Sequence, residues 1–103
     1  ENIELRSQLP GDCRPDAIFK TSDNLKVALE LEKARKSKDR YQQKIRSYIN
    51  LITETDKDSR AFDQVYFICE TKPVLELIKY QCELYQYLFR FDLLENLIQK
   101  NGN

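Results

Sequence analysis

Two apolar runs held apart by five polar residues constrain this chain more than any other feature. The first is Pro15-Asp16-Ala17-Ile18-Phe19 and the second is Leu25-Lys26-Val27-Ala28-Leu29-Glu30-Leu31-Glu32. Between them lies only Lys20-Thr21-Ser22-Asp23-Asn24, rich in turn formers. Strands joined by so short a loop pair antiparallel as a hairpin. The start of the first strand then lies beside the end of the second, which brings Asp16 close to Glu30 and Glu32. Alternation puts Lys26, Ala28, Glu30 and Glu32 on one face and Leu25, Val27, Leu29 and Leu31 on the other. Lys33, if the strand runs that far, points away from the acids.

Three carboxylates with few counter-charges nearby repel one another, and a divalent cation relieves that repulsion. The competing expectation is that Glu30 and Glu32 form the solvated face of an edge hairpin. Directly after the acids comes Lys33-Ala34-Arg35-Lys36-Ser37-Lys38-Asp39-Arg40, with five basic residues in eight. A cationic segment beside an acidic pocket suits a polyanion held next to a metal, its phosphates neutralised by Lys33, Arg35, Lys36, Lys38 and Arg40. Taken alone, such a charge run is an ordinary solvated connection into a helix.

The rest of the chain alternates between elements. Ser37 or Asp39 caps a predicted helix to about Ile52, with Tyr41, Ile45, Tyr48, Ile49 and Ile52 on its apolar face. Within Phe62 to Glu70, Val65-Tyr66-Phe67-Ile68-Cys69 is apolar on both faces and reads as a central strand. Thr71 and Pro73 open a second helix carrying Val74, Leu77, Ile78, Cys82, Leu84 and Tyr85. The period drops to two near Tyr87-Leu88-Phe89-Arg90-Phe91, predicting a last strand, and Asp92 is placed as the cap of a terminal helix through Gln99. The expected order is β-β-α-β-α-β, an α/β (α+β) fold whose mixed sheet starts with an antiparallel hairpin. Tyr41 and Tyr48 are expected in the core with their hydroxyls reaching the surface, and core packing is also expected for Tyr80, Tyr85 and Tyr87 over an aromatic surface that stacks bases.

Composition limits the chemistry. At 103 residues there is room for one core, and the 41% hydrophobic fraction is enough to fill it. With no histidine, His-based triads, His general bases and Cys/His zinc fingers are excluded. The three cysteines, Cys13, Cys69 and Cys82, have no zinc spacing, and the last two read as small buried hydrophobes. A formal net charge of zero argues against wholesale wrapping of nucleic acid but permits a local basic lip. No apolar stretch reaches membrane-spanning length and no signal-peptide pattern is present, so a soluble cytoplasmic domain with no membrane partner is expected.

These residues resemble the PD-(D/E)xK superfamily, the restriction-endonuclease-like fold. Pro15-Asp16 looks like its Pro-Asp motif, and Glu30-Leu31-Glu32 stands where its (D/E)-x-K motif falls. Within that superfamily, Arg14-Pro15-Asp16-Ala17, then Leu29-Glu30-Leu31-Glu32, then Lys44-Ile45-Arg46-Ser47-Tyr48, look most like the plasmid replication-relaxation family. The similarity spans roughly residues 12 to 70. It implies a restriction-endonuclease-like core and DNA as partner, alongside replication or mobilisation proteins or a second copy of the chain. It also implies Mg²⁺ or Mn²⁺ held by Asp16 and Glu30, with Glu32 a further ligand. In the superfamily an acid from the first helix often completes the site, a place for Glu1 or Glu4.

The departure is at Glu32, which replaces the motif's lysine and cannot supply a positive charge. Lys44 is the candidate for a migrated lysine, three residues beyond Tyr41 and four before Tyr48, from where it can reach the sheet. Its alternative is a snorkelling lysine at the edge of the apolar stripe. Two functions follow. One is a DNA-processing domain of a plasmid or mobile-element replication or mobilisation protein, hydrolysing phosphodiesters through Asp16, Glu30, Glu32 and Lys44. The other is a catalytically inactive nuclease-like fold that binds DNA or protein. A small dimerising interaction domain is a third class. The chain is expected to be a single domain over 1–103, cut from a longer protein whose N-terminal DNA-binding region is missing.

Overall fold

The computed structural model describes residues 14–33 and 35–101. Cys13, Glu1 and Glu4 therefore lie outside the described residues. The hairpin forms as its sequence dictates: β1 (Ala17–Lys20) pairs antiparallel with β2 (Lys26–Glu32), Ile18 opposite Ala28 and Phe19 opposite Val27. Its loop is closed by Thr21. The Thr21 N–H donates to the Leu25 carbonyl at 2.8 Å, and the Leu25 N–H donates to the Thr21 hydroxyl at 3.1 Å. Asn24 takes a positive φ of 67°, the left-handed region that asparagine tolerates better than most residues.

Helix α1 (Lys38–Thr53) starts at Ser37, whose hydroxyl accepts from the Arg40 N–H at 3.2 Å. It buries Tyr41, Ile45, Tyr48 and Ile52, spaced four, three and four apart along one face. The chain then crosses back to β3 (Gln64–Cys69), parallel to β2, with Glu30 opposite Phe67 and Glu32 opposite Cys69. Asp63 fixes this return. One of its carboxylate oxygens accepts from the Lys26 N–H at 2.9 Å, and the other pairs with Arg60 at 2.9 Å.

Helix α2 (Lys72–Gln81) follows Thr71, and a short 3₁₀ segment, Glu83–Leu88, leads into β4 (Phe89–Leu93) and helix α3 (Leu94–Asn101). β4 pairs parallel with β3, which gives a mixed four-stranded sheet in the order β1-β2-β3-β4. The α+β fold expected from the sequence is the fold observed. α1 and α2 share a core with the sheet face carrying Ile18, Ala28, Val65, Phe67, Cys69 and Phe89. At its centre the Phe67 ring lies 6.0 Å from Phe89, 6.3 Å from Phe91 and 6.5 Å from Tyr48. No helix among the described residues is long and apolar enough to cross a membrane.

Three expectations are corrected. The second helix stops at Gln81, because Cys82 turns the chain into the 3₁₀ segment and Tyr85 leaves helical geometry altogether (φ −129°, ψ 36°). Leu84 is thereby 87% exposed, and Tyr80, Tyr87 and Tyr85 are 68%, 68% and 37% exposed instead of joining the core. Asp92 lies inside β4 and caps nothing there, its carboxylate accepting from the Tyr66 hydroxyl at 2.5 Å. Burial, followed by that carboxylate, pushes the Tyr66 phenol up to about 12.

Candidate functional site: a buried acid–lysine cluster

The period-2 pattern of β2 sends Ala28, Glu30 and Glu32 to the face that α1 covers. The carboxylates are consequently neither solvated nor short of counter-charge. Glu30 is 3% exposed and Glu32 is 1% exposed. Ionised carboxylates do not survive such burial without partners, and α1 with its lead-in supplies three. The Lys44 ammonium lies between the acids, 3.0 Å from Glu30 Oε1 and 3.2 Å from Glu32 Oε2. Lys36 reaches Glu32 Oε1 at 2.8 Å, and the Tyr48 hydroxyl donates to Glu30 Oε2 in a short hydrogen bond. All four carboxylate oxygens are engaged, and two ammonium groups balance two carboxylates.

The helix accounts for this convergence. Lys44 and Tyr48 are four residues apart and so rise one above the other on the face of α1 turned to the sheet. Lys36, just before the cap, is held in place twice more. Its N–H donates to the Tyr41 hydroxyl at 3.1 Å, and its ammonium stands 5.9 Å from the centre of the Tyr41 ring. Desolvation raises the proton affinity of the Glu30 carboxyl, Lys44 and Tyr48 lower it, the Glu32 charge raises it again, and the net direction is up. For Lys44, burial pulls the ammonium down, but the Glu30 and Glu32 charges outweigh it and the net direction is up.

Asp16 sits one step beyond the Ala17–Leu29 register pair, opposite Glu30. Its N–H donates to the Leu29 carbonyl at 2.8 Å, and its carboxylate accepts from the Leu31 N–H at 2.7 Å. Asp16 is exposed, at the rim of the cluster. Lys33, Arg35, Lys38 and Arg40 are also exposed around the C-terminal end of β2, whereas Lys36 turns inward to Glu32. The anticipated line of five outward cations is thus four, with the fifth serving the acids.

Lys44 reaches the sheet, as its position on the helix suggested. Tyr41 and Tyr48 are in the core as expected, but both are fully buried and neither hydroxyl reaches the surface: that of Tyr41 accepts from the Lys36 N–H and that of Tyr48 turns into the cluster. The spacing puts both partners within reach, Tyr48 four residues after Lys44 and Lys36 four after Glu32, but it does not say which way the Tyr48 hydroxyl turns. A divalent ion needs carboxylate oxygens turned to a common point. Here the oxygens of Glu30 and Glu32 are turned to Lys36, Lys44 and Tyr48. Among the described residues no group of three His, Cys, Asp or Glu side chains is arranged to hold a metal ion. As placed, the set does not fit Mg²⁺ or Mn²⁺, and its chemistry is that of a neutralised, water-poor ion-paired centre. Cys69 and Cys82 are free and buried, and burial pushes their thiols up to about 11 and about 12, which keeps them unreactive.

Comparison with family models, curated proteins and solved structures finds no match to this chain.

Proposed function

We propose that this chain is a DNA-binding module of restriction-endonuclease-like descent, working in the cytoplasm with plasmid or mobile-element replication or mobilisation proteins. The observation that carries this reading is the saturation of Glu30 and Glu32 by Lys36, Lys44 and Tyr48. An acid pair built into the helix–sheet interface in this way is structural, and cleavage is not its task. The exposed cations Lys33, Arg35, Lys38 and Arg40 around the end of β2 support a phosphate-binding edge. That edge is the C-terminal end of the parallel strands β2 and β3, where open α/β sheets commonly take ligands.

A second reading retains phosphodiester hydrolysis. It is favoured by Asp16, exposed and opposite Glu30 across the hairpin, with a lysine already against the acids. Mg²⁺ or Mn²⁺ binding would then require Lys36 or Lys44 to give up its carboxylate oxygens. Supercoiled plasmid incubated with the protein in Mn²⁺, beside an Asp16→Ala variant, tests both. Retarded but uncut plasmid is the expected result. Nicking that disappears in Asp16→Ala would replace the first reading with the second, and neither binding nor nicking would overturn both.

A further inference from the structure

Away from the acids, α1 and the α2–3₁₀ corner enclose a cleft of about 430 Å³. Gln42 and Arg46 line it from α1, and Tyr80, Gln81, Leu84 and Tyr85 line it from the corner. The volume is that of a pocket for a small planar group. Its aromatic wall is made of Tyr80, exposed near the end of α2, and Tyr85 at the break, whose ring lies 6.3 Å from that of Tyr87. Exposed aromatic faces beside side-chain amides offer a ligand both stacking and hydrogen-bonding partners.

A second, independent observation concerns Gln81. Its Nε2 is the one buried side-chain nitrogen or oxygen without a hydrogen-bond partner among the described residues. A buried donor is costly to leave unmet; Gln81 lines the cleft, and a turn of its amide toward the cleft would present this donor to an acceptor there. Glu83 lines the cleft as well, so the wall offers tyrosine faces, side-chain amides, one carboxylate and one guanidinium, a set that fits an unpaired nucleobase, whose edge carries both donors and acceptors, with its phosphate at Arg46. The base stacks on tyrosine, its edge meets Gln42 and Gln81, and the phosphate meets Arg46.

We infer that the α1–α2 cleft takes an unpaired base, so that the nucleic acid this domain prefers is single-stranded. The inference rests on the proposed DNA binding and specifies its substrate class. Charge continuity supports it over a protein partner. Lys38 begins the stripe of α1 that continues through Gln42 to Arg46, all three exposed. Eight residues of helix separate Lys38 from Arg46, about 12 Å, so a phosphate chain held at the basic edge can run along α1 into the cleft. A helical or apolar protein segment would leave that run of donors without acceptors.

Fluorescence anisotropy with a fluorescein-labelled oligothymidylate and with a duplex of equal length provides the test. Tighter binding of the single strand is expected, with quenching of tyrosine emission, which no tryptophan obscures. Tyr80→Ala and Arg46→Ala each alter an exposed residue, so the fold is retained, as circular dichroism would verify. Each is expected to weaken the single strand about tenfold while changing duplex binding little. Equal binding of both forms, or variants that bind as the parent does, would overturn the inference and leave the proposed DNA binding intact. A dimer in sedimentation that Tyr80→Ala dissolves would likewise overturn it, assigning the cleft to a second copy. Failure to bind either nucleic acid would remove the proposed function and this inference together.

Discussion

Lys44 pairs with both buried carboxylates of the cluster. Two carboxylates buried at 3% and 1% exposure share its one ammonium, and removing one partner of such a pair leaves a charge stranded in a poor solvent. Lys44→Met is expected to cost about 3–5 kcal/mol near neutral pH, read from urea unfolding. The sign of its pH dependence follows from the shifts. Burial raises the Glu30 carboxyl, so its contribution to stability is present below the ordinary carboxylate value and lost as pH rises through the folded value. Lys44, raised on balance by the acids, contributes below the ordinary lysine value of 10.5 and loses that contribution as pH rises through its still higher folded value. Without Lys44 the Glu30 carboxylate binds its proton more readily still. The deficit of the variant relative to the parent should therefore shrink as the pH falls toward roughly 5, and a pH-independent deficit would refute the ion-pair account. Position made Lys44 legible in the sequence. Tyr48 was less so, because a tyrosine on an apolar stripe gives no sign of where its hydroxyl turns.

At the scale of elements, legibility followed the strength of local signals. The Thr21–Leu25 turn, the Ser37 cap and the four-three-four spacing of Tyr41, Ile45, Tyr48 and Ile52 are all local, and each element they define is present. Ser37→Ala removes the hydroxyl that accepts from the Arg40 N–H and is expected to cost about 1 kcal/mol. Ser37→Asp should restore most of it, as thermal melts would show. The corner after Gln81 was not legible. Leu84 and Tyr85 continue the apolar spacing of α2, yet the chain must turn there to bring Phe89 opposite Val65, and that register is set by the sheet. Asp92 was misplaced for the same reason: pairing with Ile68 draws it into β4, which no local pattern foretells. The period of two did locate the strand, two residues early.

At the scale of the whole molecule, a formal net charge of zero conceals a division of labour. Two cations neutralise the interior acids, while Lys33, Arg35, Lys38 and Arg40 remain in solvent at one end of the sheet. Replacing Arg35, Lys38 and Arg40 together with alanine should leave stability within about 0.5 kcal/mol. It should also lower the slope of log affinity against log salt by about 3 for duplex DNA; an unchanged slope would place the phosphates elsewhere. The helix–sheet interface has a consequence of another kind. Glu30, Glu32, Lys36, Lys44 and Tyr48 satisfy one another, so a lineage that alters one of them inherits a buried group in want of a partner. Drift at this face is confined to concerted steps, and the five positions are bound to a shared history.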